Sequence, residues 1–147
     1  MSAVTPRRRA RELVLQGLYE RQLAGSPDAA IATSLAERDE YARADAAYFD
    51  ALWRGVTSEY ASLLAVLAPD IDRSMEKLSP IERAVLVIGA WELSHRPDIP
   101  WRAVIDEAVE LAKRYGATDG YKFVNGVLDK LAPRLRGAEI RAAGERR

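Results

Sequence analysis

Apolar residues recur at three and four along nearly the whole chain, the spacing that gives a helix one buried face. Thr5-Pro6 places a capping hydroxyl before a proline in the first helical position. Ala10, Leu13, Val14, Gly17 and Leu18 then form the inner stripe of a first helix reaching about Leu23, with Gly25 set to end it. Ser26-Pro27 repeats the start signal for a short helix carrying Ile31 and Leu35. Asp45 is placed to cap a long helix whose stripe is Phe49, Leu52, Trp53, Val56, Tyr60, Leu63, Leu64 and Leu67, closed by Pro69. Ser79-Pro80-Ile81-Glu82 reads as a capping box, and the helix it opens, Ile81 to about Ser94, is apolar on most sides and therefore central. Pro97 and Pro100 bracket a turn before an amphipathic helix from about Trp101 to Tyr115, ended by Gly116. Thr118 can cap a last helix carrying Phe123, Val124, Val127, Leu128 and Leu131 before Pro133. No segment alternates as a strand would.

These elements predict an all-α protein with a single helical domain over residues 1–147, built as one orthogonal bundle of about seven helices. Two sub-bundles with a seam near Pro69 to Ser79 are the variant of that plan. The stretch from about 136 to 147 is small, polar and arginine-rich, and is expected to be a flexible basic tail.

Composition narrows the chemistry. At 147 residues the chain is long enough to bury a core without covalent staples. The absence of cysteine excludes disulfides, a thiolate nucleophile and cysteine-bound zinc, and fits a reducing compartment. No apolar run approaches the roughly 20 residues of a membrane span. The N-terminal arginines lead into an amphipathic pattern and not into a secretory signal, so a cytoplasmic protein with no membrane partner is expected. Positive and negative charges balance, 22 against 22, but unevenly: Arg7, Arg8, Arg9 and Arg11 crowd one end, while residues 28–50 are acidic. A local nucleic-acid site is compatible with that distribution.

Catalytic candidates are thin. His95 is the only histidine. With Glu92 it has the spacing used in carboxylate-bridged di-metal bundles, but such a site needs a second pair and two further glutamates, so no metal site can be built from it. Asp106, Glu107 and Glu110 share a helix, and Lys113 and Arg114 one turn on make a face of ion pairs the simpler account. There is no phosphate-binding glycine loop and no nucleophile elbow. The expectation is a protein that is not an enzyme and carries no cofactor.

The binding signal lies in the arginines. On a helix, Arg7 and Arg11 share a face, and Arg8, Glu12, Leu15 and Tyr19 form the neighbouring row. Guanidinium groups offer planar bidentate donors to phosphate, and the positive end of the helix falls at the same place. Four arginines there oppose the helix dipole, which solubility alone explains poorly. Lys122 and Phe123, beside Tyr121, offer a cation and a ring for a stacked base, although helical spacing equally allows Phe123 and Tyr121 to be core.

The stretch Arg7-Arg-Arg-Ala-Arg-Glu, followed by Gln16-Gly-Leu-Tyr19, resembles the opening helix of the NusB family. So do Ile81-Glu-Arg-Ala-Val-Leu, Trp91-Glu-Leu, Asp98-Ile-Pro, Ile105-Asp-Glu-Ala-Val-Glu-Leu-Ala-Lys and Lys122-Phe-Val-Asn-Gly-Val-Leu-Asp129, in the family's order. The resemblance implies an all-helical factor that binds boxA-type single-stranded RNA. Its partner would be NusE, the small-subunit ribosomal protein that doubles as a transcription factor. Together they would support read-through by RNA polymerase, contacted indirectly, in ribosomal RNA operons. The family's RNA surface carries over to Arg7, Arg8, Arg11 and Tyr19, with Lys122 and Phe123 as its second part and Phe123 then a base contact. Glu82 matches a carboxylate associated with the protein partner. Asp119, at the start of the last helix, suits the helix dipole but repels phosphate, which makes it a residue that tunes RNA affinity. Asp70 departs from the pattern, since some members carry an aromatic there. The family's domains also occur fused to RNA methyltransferases with cysteine nucleophiles, a version the missing cysteine excludes. Three alternatives remain open at this level: a helical protein–protein module docking an acidic partner without specific RNA binding, a DNA-binding helix-turn-helix, and a homodimer that masks the basic face.

Overall fold

A computed structural model describes residues 4–145. Its helices are α1 (Pro6–Ala24), α2 (Asp28–Ala36), α3 (Ala46–Ser58), α4 (Tyr60–Leu67), α5 (Pro80–His95), α6 (Trp101–Tyr115), α7 (Gly120–Leu135) and α8 (Gly137–Glu145). Short 3-10 turns occupy Asp39–Arg43, Ala68–Asp70 and Met75–Lys77, and no strand occurs among the described residues. Three of the helix starts are fixed by the side chains the sequence nominates. Thr5 Oγ1 accepts the Arg8 N–H at 3.1 Å, an Asp45 carboxylate oxygen accepts that of Tyr48 at 3.0 Å, and Ser79 Oγ accepts that of Glu82 at 3.1 Å. Each satisfies a donor that the first helical turn leaves orphaned. Gly25 ends α1 at φ 66°, where its N–H donates to Arg21 O.

The chain divides into two compact units, Met1–Tyr60 and Ala61–Arg147. The expected seam near Pro69 to Ser79 therefore moves forward, and the expected long helix is two helices. Glu59 leaves the helical region at φ −109°, ψ 18°. Just before it, Thr57 and Ser58 turn their hydroxyls back onto the carbonyls of Trp53, Arg54 and Gly55, which competes with the helical ladder and bends it.

In the first unit α1 packs on α2, α3 and the Asp39–Arg43 turn. Its burial exceeds the expected stripe, because Arg11, Glu12 and Leu15 are buried along with Ala10, Leu13, Val14, Gly17 and Leu18. Gly17 is where the helices close on one another. A β-carbon there would lie 2.7 Å from the Trp53 ring and 2.8 Å from Leu35 Cδ1. Trp53 cannot easily yield, since its indole N–H donates to Asp28 O at 3.2 Å. Asp28 is held in turn by Arg21 at 2.7 Å.

In the second unit α5 is buried continuously from Ala84 to Leu93 and packs on α6 and α7. Pro133 does not stop α7, which runs on to Leu135. The ring removes one N–H on an exposed side, where water can serve the carbonyl left behind. Most of the stretch expected to be a flexible tail is instead helical: Gly137–Glu145 form α8, residues 146–147 lie outside those described, and Arg136 before α8 is only 7% exposed. Its guanidinium donates to the carbonyls of Glu92, Leu93, Arg96 and Ile99 and to the Glu139 carboxylate at 2.6 Å. Glu139 also accepts the Trp101 N–H at 3.0 Å, at the first residue of α6. What reads in sequence as a solvated basic run is a clasp on the α5–α6 turn.

Two outcomes are expected from this packing. Gly17→Ala gains helix propensity but forces a methyl into Trp53, a net loss of about 1–2 kcal/mol in urea denaturation; a stability equal to wild type would show that Trp53 moves freely. Burial works against the charge on Glu139, but the Trp101 N–H and Arg136 outweigh it and hold the carboxyl below its ordinary value of 4.5. A depressed carboxylate contributes stability in full above the unfolded value and loses it as pH falls through the folded one. Glu139→Gln should therefore be less stable than wild type at neutral pH, with the gap closing as the pH falls below about 4.5. A gap constant down to pH 3 would rule that linkage out.

Candidate nucleic-acid interface

The two halves of the expected RNA surface lie in different units, and each has its own construction. In the first, the Arg7 guanidinium lies 4.4 Å over the Tyr48 ring and that of Arg11 lies 5.5 Å from the same ring. Tyr48 is buried on the first turn of α3. Arg11 is itself only 4% exposed, which corrects its expected place on an open face. It belongs to the packing beneath Arg7. Arg9 reaches the buried Glu12 at 3.9 Å. Arg7 and Arg8 are half-buried, with parts of both open to solvent. A guanidinium stacked by its face keeps its edge N–H groups available for an anion.

Tyr19 is exposed, at 42%, but it does not continue the arginine row. Glu12 and Leu15, expected between Arg8 and Tyr19, are buried, and eleven helical residues span about 16 Å. Tyr19 instead pairs by position with Leu23, 61% exposed and one turn further on.

In the second unit the site gathers around the start of α7. Asp119, and not Thr118, occupies the cap position, with φ at 70°, the only non-glycine residue with positive φ among those described. Aspartate is among the few side chains that tolerate this left-handed backbone. Its carboxylate pairs with Lys122 Nζ at 3.3 Å, both groups well exposed. Phe123 is half-buried, outside the core formed by Val124, Val127, Leu128 and Leu131. One face of its ring is covered by Arg73, whose guanidinium carbon sits 4.3 Å from the centroid. Tyr121 carries Lys113 at 5.0 Å. Beside it an open depression of about 350 Å³ is lined by Lys113, Gly116, Ala117, Thr118, Asp119 and Tyr121. Aromatic rings bearing cations, set at a helix start, suit unpaired bases and their phosphates.

Glu82 gives its backbone N–H to Ser79, while its carboxylate rests against Gly120; a β-carbon there would meet Glu82 Oε2 at 3.6 Å. It therefore links the start of α5 to the start of α7. Asp70 forms an ion pair with Arg134, which also donates to Val66 O at 3.2 Å. The departure noted in the sequence is thus a structural bond. Arg73 escaped the sequence reading because it lies fifty residues from Phe123, in a stretch with no periodicity to mark it.

The Glu92–His95 pair is split by burial. Glu92 is buried and His95 exposed, lying against the Trp91 ring at 5.6 Å. Among the described residues no group of three histidine, aspartate or glutamate side chains could hold a metal, and no helix is long and apolar enough to cross a membrane. Glu110 pairs with Lys113 at 3.9 Å, as the helix-face reading expects.

Comparison with known proteins adds an independent line. A family model described as the NusB family matches residues 8–133. Proteins named transcription antitermination protein NusB from Thiobacillus denitrificans and Paraburkholderia phytofirmans are each 51% identical over 140 residues, covering 95% of this chain and 97% of theirs. Among solved structures, T. maritima NusB is 32% identical with a TM-score of 0.77, over 88% of this chain and 92% of that one. A chain from a complex of the antitermination factors NusB and NusE with double-stranded RNA shares the fold, with a TM-score of 0.75 at 23% identity over 86% of this chain and 96% of its own.

Proposed function

The chain belongs to the NusB family, and from that premise we propose that it is a transcription antitermination factor that binds boxA-type single-stranded RNA together with NusE. It would act in the cytoplasm, supporting read-through in ribosomal RNA operons by a polymerase it contacts indirectly. It works by binding and not by catalysis. The observation that carries the RNA assignment is the half-buried Phe123 ring beside the exposed Lys122 at the start of α7. A ring left out of the core next to a cation matches the way unpaired bases are held. In the first unit the edge of Arg7 and the solvent-open part of Arg8 supply phosphate contacts, Tyr19 is a further RNA contact, and Arg11 supports Tyr48 beneath Arg7. Glu82, at the junction of α5 and α7, is assigned to the protein partner.

A second reading has one observation in its favour. Tyr19 and Leu23 leave an exposed apolar pair on α1, which fits a protein partner better than a polyanion. A pull-down from nuclease-treated lysate separates the two readings, because a purely protein-docking module keeps its partners and shows no RNA affinity.

The test is fluorescence anisotropy with a boxA-type RNA, with and without NusE. Affinity should fall steeply with salt as counterions are displaced, and replacing Arg7 and Arg8 with alanine should lower the salt slope by about one per lost phosphate contact. Unchanged binding by that double variant at low salt would remove the arginines from the interface. Asp119→Asn should tighten binding, since it deletes a negative charge, releases Lys122 and keeps a side chain suited to φ 70°. Equal or weaker affinity would mean that Asp119 faces away from the RNA.

A further inference from the structure

We infer that Arg73 is an RNA-contacting residue whose guanidinium plane, laid over Phe123, forms the outer layer on which a base stacks; this rests on the RNA-binding reading above. Phe123 alone would offer a base one hydrophobic ring. The structure instead shows that ring already bearing a cation, 4.3 Å from its centroid. The Arg73 side chain is 45% exposed, so the pair presents a guanidinium to solvent. Guanidinium is planar and weakly hydrated, and unpaired RNA bases stack on such planes as readily as on aromatic rings. A positive plane also draws in the phosphodiester chain, which a bare ring does not.

The segment that carries Arg73 is anchored on both sides. Before it, Asp70 is tied to Arg134 of α7. After it, Met75 O accepts an N–H of Arg83 from α5 at 2.7 Å. Asp72 then orients the guanidinium from the side, at 3.4 Å. A side chain held ready in this way loses less freedom when a ligand arrives. The anchoring also gives Asp70 a purpose, since its carboxylate fixes the segment that presents Arg73.

The competing role for Arg73 is a shield that keeps water from the ring. The two differ in sign. As a stacking layer, Arg73→Ala weakens binding; as a shield, it leaves affinity unchanged or raises it by baring the ring. The experiment uses the full chain and a short boxA-type single-stranded RNA carrying 2-aminopurine at successive positions. Anisotropy gives affinity, 2-aminopurine fluorescence reports stacking, and urea denaturation checks the fold. Wild type is expected to bind and to quench one position strongly. Arg73→Ala should bind roughly fivefold weaker or worse, the lower end of what losing one base stack costs, and should lose that quench. Arg73→Lys, which keeps the charge without the plane, should keep the wild-type salt slope and still lose the quench. Wild-type affinity or tighter binding in Arg73→Ala, with Phe123→Ala weakened, overturns the inference and leaves the RNA reading intact. No binding by wild type, alone or with NusE, overturns both.

Discussion

A helix that is apolar on every side must still end, and if it ends inside the protein its last carbonyls need donors that water cannot supply. That constraint governs the second unit. α5 is buried from Ala84 to Leu93, and the chain has only residues 96–100 in which to turn before α6 begins. Arg136 resolves the problem with one group, sending its N–H donors to four carbonyls around that turn while Glu139 takes the first N–H of α6. A lone buried guanidinium would be costly, but one surrounded by carbonyls and a carboxylate is solvated by the protein itself. The packing of α6 and α7 on α5, and with it the start of α7 where Phe123 and Lys122 stand, depends on that turn keeping its shape.

The parts of this design legible in sequence are those whose cause is local. A hydroxyl or carboxylate at a helix start acts on an N–H three residues away, and Thr5, Asp45 and Ser79 all do so. The greasy pattern of α5 announces its central place for the same reason. The features that escaped have causes distant in the chain. Arg11 and Glu12 are polar by composition and buried by packing, and no periodicity distinguishes them from the half-buried Arg8. Arg136 looks like the start of a basic tail until the carbonyls of α5, some forty residues earlier, are found around it. The break at Glu59 falls inside an uninterrupted apolar stripe, because three-and-four spacing runs through two short helices as smoothly as through one long one.

The candidate RNA surface shows the same division. Residue type and spacing select Phe123 and Lys122, and the family resemblance raises Phe123 above the core alternative. What the resemblance does not supply is the ring's immediate company. Arg73 covers one face and Asp119 holds Lys122, so neither of the two proposed contact residues is bare. On the proposed reading, a strand arriving here would lengthen the existing cation–ring stack and trade the Asp119–Lys122 ion pair for phosphate. Exchanges of that kind are sensitive to salt on both sides of the equilibrium.

Gly17 has a mechanical consequence. Because even a methyl group has no room between α1 and the side chains of Trp53 and Leu35, the first helix seats directly on its neighbours at that point. It behaves as a stiff rod clamped at its middle. The arginines project at one end and Tyr19 with Leu23 at the other, about 18 Å from Arg7 to Tyr19. A partner gripping the tyrosine end would bear on a helix seated at its middle, so that the two tips would be aimed together.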